Sequence, residues 1–230
     1  MPLILAIETS SEMASCALIR GDVVLSRESS GVRTHSQAIL PMIQALLAEA
    51  GVTLSECDAI AFGAGPGSFT GVRTACGVVQ GLAFGAGLPV APVGTLDAMA
   101  QACREKTGAS DVLCILDARM GEVYWAQFRH AAGAWQTVLA PRLSSPAEVA
   151  PAGPGQACGN GRAAYADAFS GRDFMVGADA GIMPHAAQIA VLARLAVARG
   201  DTLEAAAAQP VYLRNKVALT TAERMAGKAA

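Results

Sequence analysis

Short apolar segments and longer segments of helical periodicity alternate along the first half of the chain. Leu3–Ile7, Ala14–Arg20 and Val23–Arg27 are separated by a polar turn and a Gly-Asp turn, which predicts an antiparallel meander of three strands. Apolar residues at helical spacing follow over His35–Ala50, and Gly51 is a typical helix end. Two polar residues are candidates for the start of this helix: Thr34 and Ser36.

The pattern then changes to strand, helix, strand, helix. Apolar strands are predicted at Asp58–Phe62 and Leu88–Val93, and helices at Thr70–Gly85 and Leu96–Glu105. Strands that alternate with helices are typical of a parallel sheet covered by helices. The fold class predicted from this half is therefore α/β. A last helix is predicted near the C-terminus, at Pro184–Arg199.

The second half begins with the same order of elements as the first. The strand Val112–Leu116 ends at an acidic residue, Asp117, just as the first strand ends at Glu8. Two further strands follow over Glu122–Arg129 and Trp135–Leu139. Repetition of this order about one hundred residues apart indicates an internal duplication. We therefore predict two duplicated subdomains and a tail that is partly packed and partly frayed, over 1–108, 109–209 and 210–230.

A glycine-rich loop joins one predicted strand to the helix that follows it, in the sequence Gly63-Ala-Gly-Pro-Gly-Ser-Phe-Thr-Gly-Val-Arg73. Gly65 and Gly67 permit backbone shapes and close approaches that other residues avoid, and Ser68 or Thr70 could cap the helix. Backbone N–H groups at such a helix start suit a phosphate or carboxylate. The loop lacks the Gly-Lys-Ser/Thr of a Walker motif, and a tight turn without a ligand is the alternative.

The two turns that begin at Glu8 and at Asp117, each between two predicted strands, are candidate phosphate loops. If they face each other, Glu8 and Asp117 would resemble the paired acids of actin-like ATPases, with the hydroxyls of Thr9, Ser10 and Ser11 as phosphate donors. The alternative is that both acids only cap the ends of strands. The residues alone leave both interpretations open.

Two predicted helices, His35–Ala50 and Thr70–Gly85, carry more apolar surface than one buried face requires. Gly77, Gly81 and Gly85 recur every four residues and line one side of the second helix, although each costs about 1 kcal/mol relative to alanine. Such a stripe indicates that another backbone packs closely there. A helix that is apolar on all sides is covered on all sides, so we predict a shared interface with another subunit. Its residues would be His35, Ile39, Met42, Ile43, Leu46, Arg73, Gly77 and Gly81.

Composition excludes several classes of function. The chain has 230 residues, is 53% hydrophobic and carries a formal net charge of −2, so it has no basic field to hold nucleic acid unaided. Six scattered cysteines without a close pair are typical of buried free thiols in a reducing cytoplasm. The N-terminus lacks the features of a signal peptide. The uncharged window Thr74–Val93 is interrupted by glycines and Pro89, which favours strand and helix over a membrane span.

Metal and nucleophile motifs are not evident. His35, His130 and His185 are far apart, and no metal-ligand spacing of histidine or cysteine occurs. Ser68 lies in Gly-Ser-Phe-Thr-Gly, which is not the Gly-x-Ser-x-Gly nucleophile elbow. No metal is therefore expected.

Several motifs together resemble the bacterial TsaB (YeaZ) family, in order along nearly the whole chain. They are Ile4-Leu-Ala-Ile-Glu-Thr-Ser-Ser11, Thr34-His-Ser-Gln37, Leu40-Pro-Met42, Gly65-Pro-Gly-Ser-Phe-Thr-Gly-Val-Arg73, Leu116-Asp-Ala-Arg119, Glu122-Val-Tyr124 and Tyr212-Leu-Arg214. The resemblance implies an actin-like (ASKHA, ribonuclease H-like) fold with two subdomains. It also implies a role in making threonylcarbamoyl-adenosine beside the anticodon of tRNAs.

The resemblance further implies a non-catalytic cytoplasmic protein that activates the transferase subunit TsaD, joined by the ATPase TsaE, and that contacts tRNA only through this complex. Family members pair through the two helices described above, as homodimers or with TsaD. Where TsaD-like chains carry two metal-binding histidines, this chain has Thr95 and Met99, which cannot replace two imidazoles. No cofactor is expected to be required, and ATP or ADP would bind weakly or in a site completed across an interface.

Two enzyme classes are the alternatives to this interpretation. The first is a metal-independent, glycoprotease-like peptidase, which would need a nucleophile and a base such as Ser68 and His35. The second is a stand-alone actin-fold ATPase or sugar kinase, which would need tight nucleotide binding by this chain alone.

Overall fold

The computed structural model of the protein describes residues 1–30 and 35–214. Two expectations lie outside these residues, namely Thr34 as a helix start and the frayed end of the tail. The described strands are β1 Leu3–Glu8, β2 Met13–Arg20, β3 Val23–Ser30, β4 Ala59–Gly65, β5 Val90–Gly94, β6 Asp111–Arg119, β7 Glu122–Ala131, β8 Ala134–Ser144 and β9 Gln156–Cys158. The described α-helices are α1 His35–Ala50, α2 Phe69–Ala86, α3 Thr95–Thr107, α4 Gly161–Ala164 and α5 Ala186–Arg199. The main predicted strands and helices are therefore confirmed.

The strands form two mixed sheets of similar topology. The first has the order β3-β2-β1-β4-β5 and the second the order β8-β7-β6-β9. In the first sheet, β1 pairs antiparallel with β2 and parallel with β4, and in the second, β6 pairs antiparallel with β7 and parallel with β9. The strand that carries each candidate acid thus lies inside its own sheet, between an antiparallel and a parallel neighbour, and each acid lies toward the carboxyl end of its strand.

Alternate residues of β1 face two different helical layers, as the two-residue period of a strand requires. Leu3, Leu5 and Ile7 pack into a cluster with α1 and α2, whereas Ile4 and Ala6 pack into a cluster with α5. The centre of the first sheet is therefore buried on both faces. Helix α3 extends this core, since Ala98 joins the second of these clusters while Leu96 and Met99 pack against the second sheet.

The prediction for the apolar face of α1 was partly wrong. Ile39, Ile43 and Leu46 are buried in the cluster between α1, α2 and the first sheet, and Met42 packs partly buried against the same cluster. The chain's own sheet therefore covers these side chains, not a partner. The exposed side of α1 carries other residues, among them Ser36, Gln37, Leu40, Pro41, Gln44 and Ala45.

The boundaries of the predicted subdomains stay a prediction. Two separate sheets agree with two subdomains, but α5, which the prediction places in the second, packs on the first sheet. Its first turn is held there by the Ser15 hydroxyl, which accepts the N–H of Ala186 at 2.9 Å.

The six cysteines are free and buried, as expected from their scattered positions in apolar segments. Burial raises the pKa of both Cys16 and Cys57 to about 11, so these thiols stay protonated and unreactive near neutral pH. In the described part of the chain, no helix is both long and apolar enough to cross a membrane.

Asp97 supplies a prediction of pH dependence. Its carboxyl lies in the first turn of α3 against Gly94, and burial raises its pKa from 3.8 to about 6. Between these values the folded state binds more protons than the unfolded state, so the free energy of unfolding falls as pH rises. Asp97→Asn should therefore be more stable than the parent chain by about 3 kcal/mol above pH ~7. Urea unfolding from about pH 4 to 7.5 measures this, and identical pH slopes for both chains would contradict it.

Candidate functional site

A cleft opens between the carboxyl ends of the two sheets. It encloses about 570 Å³, within the range of small-molecule sites. The first sheet and α2 form one wall, the β6–β7 turn forms the other, and a C-terminal segment lies across both. The predicted site residues that line it are Ser10, Ser11, His35, Gly67, Ser68, Thr70 and Asp117.

The first candidate phosphate loop is clamped against the glycine loop. Thr9 Oγ1 donates to the carbonyl of Gly71 at 2.7 Å, and the N–H of Ser68 donates to the carbonyl of Ser10 at 2.7 Å. A Cβ on Gly71 would overlap the Thr9 carbonyl oxygen, so this approach requires glycine. The hydroxyl of Thr9 is therefore already used inside the protein. Ser68 Oγ accepts the N–H of Gly71 at 3.3 Å, which confirms Ser68 as the cap of α2.

Glu8 lies behind the wall of the cleft and does not line it. Its side chain is fully buried, Oε1 accepts the N–H of Ser10, and Oε2 has no hydrogen-bond partner within the described residues. Burial raises the pKa of Glu8, against the opposing effect of the hydrogen bonds from Ser10 and Thr9. A buried acid with this environment is neutral more readily than a surface acid, which disfavours it as an ion-binding carboxylate.

Asp117 lies near the end of β6 and takes part in three hydrogen bonds. Its Oδ1 accepts the N–H of Arg119 at 2.7 Å and the hydroxyl of Tyr165 at 2.8 Å, while its own N–H donates to Asn160 Oδ1 at 2.8 Å. The turn is thereby fixed at the cleft. Across the opening, Arg119 lies 3.9 Å from Glu12, a long and exposed ion pair of small energetic value.

A segment that the sequence assigned only to the tail crosses the cleft. We call residues 208–214 the C-terminal strap. The N–H of Val211 donates to the carbonyl of Ala64 at 2.7 Å, on the first sheet. Three residues later, Arg214 forms a 2.6 Å ion pair with Glu122, on the second sheet. Gly65 lies beneath the strap, with a φ of +111° and no room for a Cβ beside the Val211 carbonyl.

One side of α2 is bare. Arg73, Gly77, Gly81 and Gly85 are exposed, and Phe84 beside them is 82% exposed. A Cβ at any of the three glycines would meet nothing within 4 Å. The neighbour that the glycine stripe predicts is therefore not part of the described chain.

Comparison with known proteins identifies relatives along most of the chain. The family "TsaD: tRNA N6-adenosine threonylcarbamoyltransferase" matches residues 21–225. The tRNA threonylcarbamoyladenosine biosynthesis protein TsaB of Escherichia coli K12 is 40% identical over 221 residues, covering 94% of this chain and 96% of that protein. The Haemophilus influenzae protein of the same name is 40% identical over 226 residues, covering 93% and 94% of the two chains.

Solved structures agree with these relatives. YeaZ from Pseudomonas aeruginosa has a TM-score of 0.85 and 43% identity, covering 93% of this chain and all of that chain, 100%. A second Pseudomonas aeruginosa structure, described as an uncharacterized protein with similarity to peptidase YEAZ, has a TM-score of 0.87 at the same identity, 43%, and covers 93% and 100% of the two chains. The predicted actin-like, ribonuclease H-like α/β fold is thus confirmed. With relatives of this name matched over nearly their full length, the chain belongs to the TsaB (YeaZ) family.

Proposed function

We propose that this chain is a non-catalytic partner and activator of a TsaD-type threonylcarbamoyltransferase, which modifies the adenosine next to the anticodon of tRNAs. Its family members are tRNA threonylcarbamoyladenosine biosynthesis proteins. The single observation that carries the proposal is the bare side of α2, where three glycines with unfilled space beside them and an exposed Phe84 leave room for another protein. Contiguous exposed apolar surface of this kind marks protein interaction sites.

The residues at positions 95 and 99 support the non-catalytic part of the proposal. Thr95 and Met99, which stand where TsaD-like chains carry two histidines, are both fully buried. Thr95 Oγ1 donates to Ser10 Oγ at 3.3 Å, and the Met99 methyl packs against Gly159. A hydroxyl and a thioether fit poorly to a metal that prefers imidazole. Within residues 1–30 and 35–214, no three candidate ligands gather to hold a metal ion.

We expect the cleft to bind nucleotide weakly at most on this chain alone, so no cofactor is required for the proposed role. Glu8 is buried behind the cleft wall, and the hydroxyl of Thr9 is committed to Gly71. Asp117 is likewise engaged by Arg119 and Tyr165. ATP or ADP would need groups from a second subunit to complete the site.

Neither enzyme alternative finds support in the described site. A peptidase would need Ser68 free for attack, but its Oγ caps α2, and His35 Nε2 lies 3.3 Å from the carbonyl of Glu12. A stand-alone ATPase would need free acids and hydroxyls, but Glu8 is buried, and the Thr9 hydroxyl and Asp117 are engaged within the chain.

The proposed partners follow from the same surface. The α2 side would pair with the TsaD-type subunit, or with a second copy when the chain is isolated, with a TsaE-type ATPase joining the complex. With a net charge of −2, the chain would meet tRNA only through that complex. Free buried cysteines agree with a cytoplasmic location.

Reconstitution tests this function. Purified TsaD-type subunit, TsaE-type ATPase and threonylcarbamoyl-adenylate synthase would be incubated with substrate tRNA, with and without this chain. We expect the modified nucleoside to form only when the chain is present, or at least about tenfold faster in its presence. We also expect the chain to co-purify with the TsaD-type subunit. Equal modification in its absence would refute the activator role.

A further inference from the structure

Arg73 is held rigidly at one end of the bare side of α2. Its guanidinium lies 3.6 Å from the centre of the Phe69 ring, and its Nε donates to the Tyr212 hydroxyl at 2.7 Å. The rings of Phe69 and Tyr212 are themselves 5.8 Å apart. Tyr212 comes from the C-terminal strap, so a contact between residues 139 positions apart in the chain fixes this side chain. Stacking and the hydrogen bond together orient the guanidinium plane.

The outer edge of this guanidinium has no partner among the residues that the structure describes. Within residues 1–30 and 35–214, Arg73 takes part in no ion pair, and only its Nε donates a hydrogen bond. Its two Nη nitrogens are therefore available on an exposed residue. A planar guanidinium presents parallel N–H groups that match the two oxygens of a carboxylate. Holding it in one orientation beforehand reduces the entropy lost when a partner binds.

The surroundings do not supply that carboxylate. Helix α2 contains no acidic residue, and α1 contains one, Glu49, whose Oε2 already forms a 2.8 Å ion pair with Arg27. A second copy that docked the same helices against each other would thus offer Arg73 no free acid from α1 or α2. The helices that form this side thus supply no free carboxylate, which favours a chain of different sequence as the source of the charge complement.

We propose that Arg73, stacked on Phe69 and oriented by Tyr212, is the charged anchor of the α2 side and binds a carboxylate of a heterologous partner. This inference rests on the proposed function, which makes that partner the TsaD-type subunit, and it adds the chemistry of the contact. Arginine and aromatic residues are enriched among the few residues that dominate binding energy at interfaces. The open glycines at 77 and 81 continue from this anchor along the same side of the helix.

Calorimetric titration of the purified TsaD-type subunit with variants of the full chain tests the proposal. Arg73→Gln should raise Kd roughly 30-fold or more, because a carboxylate buried by the contact loses its partner. Arg73→Lys should be intermediate, since it keeps the charge but not the planar fork. Tyr212→Phe should raise Kd about threefold, because it removes one hydrogen bond that orients the guanidinium.

Arg142→Gln is the matched control. Arg142 is also exposed and also stacks on an aromatic ring, lying 4.9 Å from the centre of Trp125 in the second sheet. We expect the Kd of the Arg142→Gln variant to equal that of the parent chain within about twofold. Thermal unfolding of each variant verifies that it is folded. If the Arg73→Gln variant does not fold, the Kd values of Arg73→Lys and Tyr212→Phe test the proposal instead.

Ionic strength separates an ion pair from packing. The ratio of the Arg73→Gln and parent Kd values should shrink as salt rises, since salt screens the charged contact. Unchanged binding by Arg73→Gln, or a ratio independent of salt, would overturn the anchor while leaving the proposed function intact. The anchor would also be overturned if Arg73→Gln weakened the homodimer but left the complex with the TsaD-type subunit unaffected. If the parent chain does not bind the TsaD-type subunit at all, both proposals fail.

Discussion

Alanine at Gly71 should destabilise the folded chain by about 3 kcal/mol or more, whereas alanine at Gly77, on the same helix, should stabilise it. A Cβ on Gly71 would overlap the carbonyl oxygen of Thr9. Because this oxygen belongs to the backbone, relieving the overlap requires a shift of the chain itself. That overlap would separate α2 from the β1–β2 turn and break the Thr9 to Gly71 hydrogen bond. A loss of this size is a large part of the 5–15 kcal/mol typical of a domain.

Gly77→Ala is the internal control for this prediction. A Cβ there meets nothing within 4 Å, so the substitution should add up to about 1 kcal/mol from helix propensity alone. Chemical denaturation of the two variants and the parent chain measures both effects. Equal stabilities for Gly71→Ala and the parent would mean that the β1–β2 turn does not pack on α2 as described.

Leucine at Gly81 should abolish assembly with the partner while leaving the isolated chain folded. The glycine is exposed in the middle of the bare side of α2, and the chain itself offers no atom within 4 Å of a Cβ. A partner backbone that approaches as closely as the glycine stripe indicates would collide with the leucine side chain. We expect complex formation to weaken about 100-fold or more, because a collision at the centre of an interface displaces its neighbouring contacts.

Ala198→Leu is the matched control for the interface. Ala198 is an exposed alanine on α5, a different helix, so an added leucine there should change neither stability nor assembly appreciably. Size-exclusion chromatography with light scattering, and capture on the immobilised TsaD-type subunit, measure both variants against the parent. Normal assembly of Gly81→Leu would show that the partner binds elsewhere.

Local patterns predicted the elements well because each is determined by neighbours in sequence. The apolar segment of β1 and the capping residue of α2, predicted as Ser68 or Thr70, both express local geometry, and the structure has the strand and the Ser68 cap. The open glycine stripe was also visible from a four-residue repeat. Local patterns could not show what covers an apolar side chain, and so Ile39, Ile43 and Leu46 were assigned to a partner although the first sheet buries them.

The C-terminal strap was the main feature that sequence reasoning missed. Its residues carry no helical or strand periodicity, and their contacts lie far along the chain, from Arg214 to Glu122 and from Tyr212 to Arg73. The motif Tyr212-Leu-Arg214 was noticed as a family resemblance, but nothing local indicates that a tyrosine will orient an arginine 139 positions earlier. The burial of Glu8, which disfavours it as an ion-binding carboxylate, was hidden for the same reason.

The amino-acid sequence by itself determined the α/β class, the order of the elements, the glycine stripe of α2 and the family, because all of these depend on residues close together in the chain or on motifs read in order. Only the tertiary structure decided which acids face the cleft, which helix faces stay bare and which side chain holds Arg73. Those outcomes depend on burial and on contacts between distant segments, and neither exists until the two sheets have packed.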